Sequence, residues 1–200
     1  MHPNRAFAWE DHEGALRFAA DRAFAHVFTA AGDDLFVVHV PILVREGRIL
    51  FHVARRNRIA EHLADRPVLI SVAGREAYQS ANWYVTDNQV PTWHYEAVEI
   101  EGVARAMSDE ELVSLLDRQS EHFEGLHSPE KPWTRGKMEP GKFEAMTKAI
   151  IGFEVEPANI RGTRKFNQHK SADDLAATIE GQRGAGREDI VTSIGEVAKR

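Results

Sequence analysis

FAHVFTAAGDDLFVVHVPILVREGRILFHVA, residues 24–54, is the stretch that decides the fold. Three runs within it, 24–30, 35–44 and 48–54, are short and rich in β-branched and aromatic residues. Ala31-Gly32-Asp33-Asp34 and Arg45-Glu46-Gly47 separate them. These are turn residues: Gly tolerates positive φ, and Asp bonds to nearby backbone. Strands joined by so few residues pair antiparallel, because a parallel pair needs a crossover of about a dozen residues or more. Residues 35–44 are apolar on both parities, which predicts one strand with both faces buried.

Before this stretch, residues 11–22 place Leu16, Ala19 and Ala20 at helical spacing behind Asp11, a suitable N-cap. After it, a short helix is expected over 59–66, ended by Pro67, and then strands over 67–74 and 76–84. A polar loop from Val85 to Gln89 leads to a strand over 94–106. There Val98 and Ile100 alternate with Glu99 and Glu101, so one face is wet. Ser108 and Glu111 form a capping box that opens a helix to about His122. Residues 124–139 are irregular, 140–150 helical and 150–160 a last strand. Ser171 caps a further helix, whose pattern Gly181, Gly184 and Gly186 break. Ile190, Ile194 and Val197 either align on a final helix or lie in a frayed end. About six hairpin-linked strands with few crossover helices predict a mainly β (α+β) fold: a barrel with flanking helices and a helical C-terminal part.

Composition bounds the function. Of 200 residues, 42% are hydrophobic and 28% charged, the balance of a globular chain with a substantial core. No apolar run approaches the roughly 20 residues of a membrane span, and no secretory signal is read at the N-terminus. No membrane association is therefore expected. There is no cysteine. That excludes disulfides, thiolate metal sites and cysteine nucleophiles, and fits a reducing cytoplasm. A net charge of −6 argues against a direct grip on DNA, since displacing counterions takes a basic face.

The chain has no Gly-rich phosphate loop, so a phosphate ligand would be held by side chains. The run His52-Val53-Ala54-Arg55-Arg56-Asn57-Arg58, at a strand end before the expected helix, offers three guanidinium forks and an amide. The helix N-terminus would add free N–H groups. Read otherwise, the run is a solvated basic loop. Tyr78-Gln79-Ser80-Ala81-Asn82-Trp83-Tyr84 and Pro91-Thr92-Trp93-His94-Tyr95 set flat aromatics beside hydroxyls and amides. That suits a planar polar ring, stacked on its faces and hydrogen-bonded at its edge; ordinary core packing is the other reading. Lys165 and Gln168, in the run 162–169, would reach an anionic ligand or belong to a basic turn. His39, His52 and His94 fall on or beside three strands and would have to converge to bind a metal. No His-Glu-x-x-His motif exists and no metal is expected. No nucleophile elbow is present, so no catalytic residue is assigned.

In this order the motifs resemble the FMN-binding negative transcriptional regulators, the PaiB-like family. The likeness runs through Met1-x-Pro3-x-x-Phe7 with Asp11, and through His39-Val40-Pro41-Ile42-Leu43. It continues in His52-Val53-Ala54-Arg55-x-Asn57, Tyr78-x-Ser80-x-x-Trp83-Tyr84 and Val90-Pro91-Thr92-Trp93-x-Tyr95. Ile151-Gly152-Phe153-Glu154 and Lys165-x-x-Gln168 complete it. Phe51 stands where the family has Gly, and His94 where it usually has Asn. The resemblance covers about residues 1–185 and implies an FMN-binding split β-barrel related to the pyridoxamine-phosphate-oxidase type. With the helical pattern after Ser171, the expected division is a barrel domain over residues 1–170 and a C-terminal helical extension over 171–200. It also implies a homodimer with the flavin site at the subunit interface. On that basis Arg55 and Asn57, with Arg56, hold the phosphate. The Ser80/Trp83 and Thr92/Trp93 segments and His94 line the flavin, and Lys165 and Gln168 close the site. The implied function is a cytoplasmic regulator acting through flavin binding rather than direct DNA contact. The alternatives are an FMN-dependent oxidoreductase acting on a small molecule, and haem ligation by a histidine.

Overall fold

A computed structural model of the chain describes residues 2–198. Met1, which opens the N-terminal motif, and Lys199 and Arg200, which end the expected extension, lie outside the described residues. In chain order the elements are β1 (Ala8–Trp9), α1 (His12–Arg22), β2 (Phe24–Ala31), β3 (Asp34–Pro41), β4 (Leu43–Arg45), β5 (Arg48–Ala54) and β6 (Arg66–Gln79). They continue with β7 (Thr92–Ala106), α2 (Asp109–His127), α3 (Lys142–Thr147), β8 (Ile150–Lys165), α4 (Ala172–Gly184) and α5 (Glu188–Ala198). The strand order is β3-β2-β6-β7-β8-β5-β4, with β1 on β8. Every pairing with a defined register is antiparallel. This is the mainly β, helix-flanked class that the hairpin spacing predicts. The chain divides into two compact units, one of residues 1–15, 72–99 and 161–200, the other of 16–71 and 100–160.

The second unit holds the hairpins. β2 and β3 pair from Phe24↔Pro41 to Ala31↔Asp34 around Gly32, whose φ of 61° the turn requires. Burial alternates with period two: Phe36, Val38 and Val40 of β3 face inward with Ala25 and Val27 of β2. The expectation of one strand over 35–44, buried on both faces, is corrected. The strand breaks at Ile42, whose N–H bonds to the Ala23 carbonyl at 2.9 Å. Leu35 is 80% exposed and Val37 also faces out, so apolar content on both parities did not imply cover on both faces. β4 pairs with β5 from Leu43↔Leu50 to Arg45↔Arg48, and β5 with β8 from Ile49↔Val155 to Ala54↔Ile150. Phe51 and Phe153 stack across that second pairing at 5.6 Å. The capping box opens α2 as expected: Ser108 Oγ accepts from Glu111 N at 3.2 Å, and Glu111 Oε2 from Ser108 N at 2.8 Å. The helix buries Leu112 and Leu115 and runs past the expected end at His122.

Several boundaries move for local reasons. The expected helix over 59–66 is only a 3₁₀ turn at Ala60–His62. Asn57 takes the next N–H groups itself, from Ile59 on its side chain and from Ala60 on its carbonyl. The strands expected over 67–74 and 76–84 fuse into β6 up to Gln79, because Gly74 is not among the positive-φ glycines and continues the strand. The helix expected over 140–150 shortens to α3, since Gly141 at φ 78° delays its start. β8 runs on to Lys165, so the expected basic turn begins as strand. In the first unit, Ser171 Oγ accepts from Asp174 N at 3.2 Å and caps α4. Gly181 and Gly184 stay inside that helix, and Gly186 at φ 73° follows it. Ile190 and Ile194 of α5 are fully buried with Ala77 and Phe166, which decides for the helical reading of that end.

Gly102 of β7 tests this packing. A Cβ there would lie 2.5 Å from the Glu156 carbonyl oxygen and 2.6 Å from Val155 Cγ1. Backbone paired in a sheet yields little, so Gly102→Ala is expected to lower unfolding free energy by about 1–3 kcal/mol. Urea denaturation reads this as a lower midpoint.

Candidate functional site

In the second unit, β5 ends at Ala54 and the chain turns through residues 55–58. Arg55 is pinned twice: its N–H bonds to Ala149 O at 2.8 Å, and its Nε to Lys148 O at 2.9 Å. Its terminal guanidinium nitrogens remain available. Arg56 is exposed, and its side chain makes no hydrogen bond or ion pair among the described residues. Asn57 Oδ1 accepts from Ile59 N at 3.2 Å, leaving its NH₂ free to donate. Arg58 lies over the Phe36 ring at 4.7 Å. The turn therefore presents guanidinium and amide donors and no carboxylate, a donor set that fits a phosphate dianion. The helix N-terminus expected behind it is missing, so the side chains carry that task.

In the first unit, Trp93 near the start of β7 is 54% exposed and meets the half-exposed Tyr78 of β6 edge to face, at 6.1 Å. Lys165 Nζ, at the end of β8, donates to Thr92 Oγ1. Burial holds the Lys165 ammonium below its ordinary pKa. Other expected site residues are engaged within the fold. Ser80 Oγ accepts from Asn82 N at 3.2 Å and caps a 3₁₀ turn. Trp83 lies against α4, where Gly181 leaves no room for a Cβ. Gln168 spends its amide on backbone: Oε1 accepts from Phe166 N at 2.8 Å, and Nε2 donates to Ala6 O at 3.0 Å and to Arg164 O.

His94 is fully buried behind Thr92 and Trp93 in sequence. Its Nε2 lies 2.9 Å from Gln79 Oε1, which also accepts from Gln182 Nε2 at 3.3 Å. Gln79 donates its own NH₂ to Ser80 O at 3.1 Å, and Gln182 donates to Tyr78 O at 2.9 Å. With Gln79 Oε1 as acceptor, the network assigns the His94 proton to Nε2. Phe166 stacks on the ring at 5.9 Å. Burial depresses the His94 pKa to about 4; a Lys165 backbone hydrogen bond opposes this and the Lys165 charge reinforces it.

Asp174 holds the loop before Thr92. Its Oδ1 accepts from Val85 N at 3.0 Å and Thr86 N at 3.1 Å, and its Oδ2 from Thr86 Oγ1 at 2.7 Å. The Thr86 hydroxyl is the chief cause of its lowered pKa. Sequence reasoning missed Gln79, Gln182 and Asp174 as the residues that brace these segments. The only signal was parity, which places Gln79 on the buried row with Ala77. Asp174 reads locally as a cap residue. The histidines separate: His39 opposes His26, His94 binds Gln79, and burial lowers the pKa of His52, partly opposed by Gln119. Among the described residues no three His, Cys, Asp or Glu gather to hold a metal.

A family model described as "Putative FMN-binding domain" matches residues 1–159. The chain is 28% identical over 187 residues to "Protease synthase and sporulation protein PAI 2" of Bacillus subtilis, covering 90% of this chain and 88% of that protein. It is similar in fold to the flavocytochrome Anf3 from Azotobacter vinelandii, with TM-score 0.62, 16% identity, and 82% and 72% of the two chains covered. It is also similar to an FAD and haem binding protein from Mycobacterium smegmatis, with TM-score 0.55, 14% identity, and 84% and 77% covered. At these identities the structural likeness concerns the fold alone.

The buried imidazole has a measurable consequence. His94 titrates near 4 when folded, against an ordinary 6.5. Between those values the unfolded chain binds a proton that the folded chain does not. Stability is therefore lost as pH falls from about 6.5 towards 4, by an amount on the order of 3 kcal/mol from this group. His52 and His169, whose pKa values burial also lowers, add slope of the same sign. Urea midpoints measured from pH 7 to pH 4 are expected to fall less steeply in His94→Gln than in the wild type.

Proposed function

The chain belongs to the FMN-binding family that matches its residues 1–159, and from that premise we propose that it is a PaiB-like regulator whose output depends on bound FMN. FMN is the cofactor this membership assigns, and when bound it supplies one- and two-electron redox chemistry. The observation that carries the reading is the donor cluster at Arg55, Arg56 and Asn57, whose terminal guanidinium nitrogens and amide NH₂ bond to no described residue. Arg55 and Arg56 neutralise the phosphate with their free guanidinium ends, and Asn57 donates its amide. Trp93 offers an exposed aromatic face for the ring. Thr92, oriented by Lys165, offers a hydroxyl, and the Lys165 ammonium stabilises negative charge at the ring edge. His94, neutral and buried, supports these residues from behind, and Ser80, Trp83 and Gln168 brace their segments. We assign the flavin to residues 1–170 and a bracing role to the extension, through Asp174 and Gln182.

The functional form is a homodimer in the cytoplasm, with the flavin at the subunit interface. Phe24, Phe28, Leu35 and Val37 form an exposed apolar set on β2 and β3 of the kind that association covers. A direct grip on DNA has little support: net charge is −6, and α2 and α5 both open on acidic residues. No helix among the described residues is long and apolar enough to cross a membrane.

Purified protein is expected to show flavin absorption, or to bind added FMN in calorimetry. Arg56→Ala and Asn57→Ala are each expected to weaken FMN binding about tenfold or more, as loss of a charge-assisted or amide bond to phosphate implies. Colourless protein that binds no FMN contradicts the reading. Sedimentation is expected to give twice the 22.5 kDa chain mass.

A further inference from the structure

The outward face of the β2–β3 hairpin carries Phe24, His26, Phe28 and Ala30, opposite Pro41, His39, Val37 and Leu35. None of these eight residues is charged. At the centre, His26 and His39 are direct register partners, with ring centroids 4.5 Å apart at 77°. His26 also meets Phe28 edge to face at 6.5 Å. Neither imidazole hydrogen-bonds to any described residue, so their ring nitrogens are uncommitted within the chain. The flavin reading uses neither residue.

We infer that His26 and His39 form a two-imidazole chelate for a borderline transition-metal ion such as Cu²⁺, Ni²⁺ or Zn²⁺, with water in the remaining positions. Metal–imidazole bonds are about 2.0–2.1 Å long. Two such ligands set about 90–110° apart at one ion have ring centroids about 4.5–5.2 Å apart. The observed 4.5 Å lies at the lower end of that range. Backbone pairing fixes the two Cβ atoms, so little chain entropy is lost on binding. Rotation about the soft Cβ–Cγ bonds reorients the ring nitrogens while leaving the centroid separation nearly unchanged, because that bond points through the ring centre. The chemistry selects the ion. Imidazole suits copper, nickel and zinc, whereas calcium and magnesium need oxygen ligands, and this face offers no carboxylate. Where two copies of this face meet, two pairs would supply four imidazoles, a closed tetrahedral set.

The test is titration of the metal-free full chain with CuCl₂, and separately with ZnCl₂, by calorimetry, with electron paramagnetic resonance of the copper form. Binding of one ion per chain, or one per two chains, with nitrogen hyperfine coupling, is expected. His26→Ala and His39→Ala should each weaken binding about tenfold or more, and the double variant should abolish it. His122→Ala and His127→Ala, on α2, should leave it unchanged. Circular dichroism checks that each variant is folded. Equal metal binding by the wild type and the folded double variant, or none by the wild type, overturns the proposal and leaves the pair as an aromatic contact.

Discussion

A neutral histidine sealed beneath the surface is the constraint on which the first unit depends. His94 of β7 donates to Gln79 of β6, and Gln182 of α4 shares that acceptor. All three residues are fully buried. In such surroundings each hydrogen bond is worth more than at the surface, and an orphaned partner costs more. The set therefore fixes how β6, β7 and α4 meet. Thr92 and Trp93 directly precede His94 along β7, so their placement inherits this rigidity. Lys165 approaches from β8 and completes it at Thr92.

The second unit presents its donor cluster by other means. Its donors stand at the end of a hairpin strand, held by Arg55 bonding back to the 148–149 backbone. Asn57 folds the following turn on itself and leaves its NH₂ outward. No buried network supports Arg56, which is free to meet an anion. The first unit thus presents aromatic and hydroxyl groups at Trp93 and Thr92, and the second presents guanidinium and amide donors at residues 55–57.

What was legible in the sequence was local. The capping box at Ser108, the cap at Ser171 and the hairpin turns at Gly32 and Gly47 each depend on a few neighbouring residues, and each is present. What failed depended on partners far along the chain. Gly74 reads as a break but continues β6. Residues 59–66 carry helical spacing, yet Asn57 draws off the first N–H groups. Asp174 looks like a cap until its contact with Thr86, 88 residues away, is seen. Among the motif residues, Arg55, Arg56, Asn57, Thr92 and Trp93 keep groups at the surface. Ser80, Trp83, His94 and Gln168 are occupied inside the fold, which residue type alone does not reveal.

The central claim is that FMN engages the donors at residues 55–57 and the Thr92–Trp93 and Lys165 groups. Hydrogen–deuterium exchange, compared with and without FMN, tests it most directly. The account predicts that FMN slows exchange at residues 55–60, 92–95 and 165–168, and leaves the already protected interior of β6 unchanged. Protection confined to other segments, or none at saturating FMN, would contradict it.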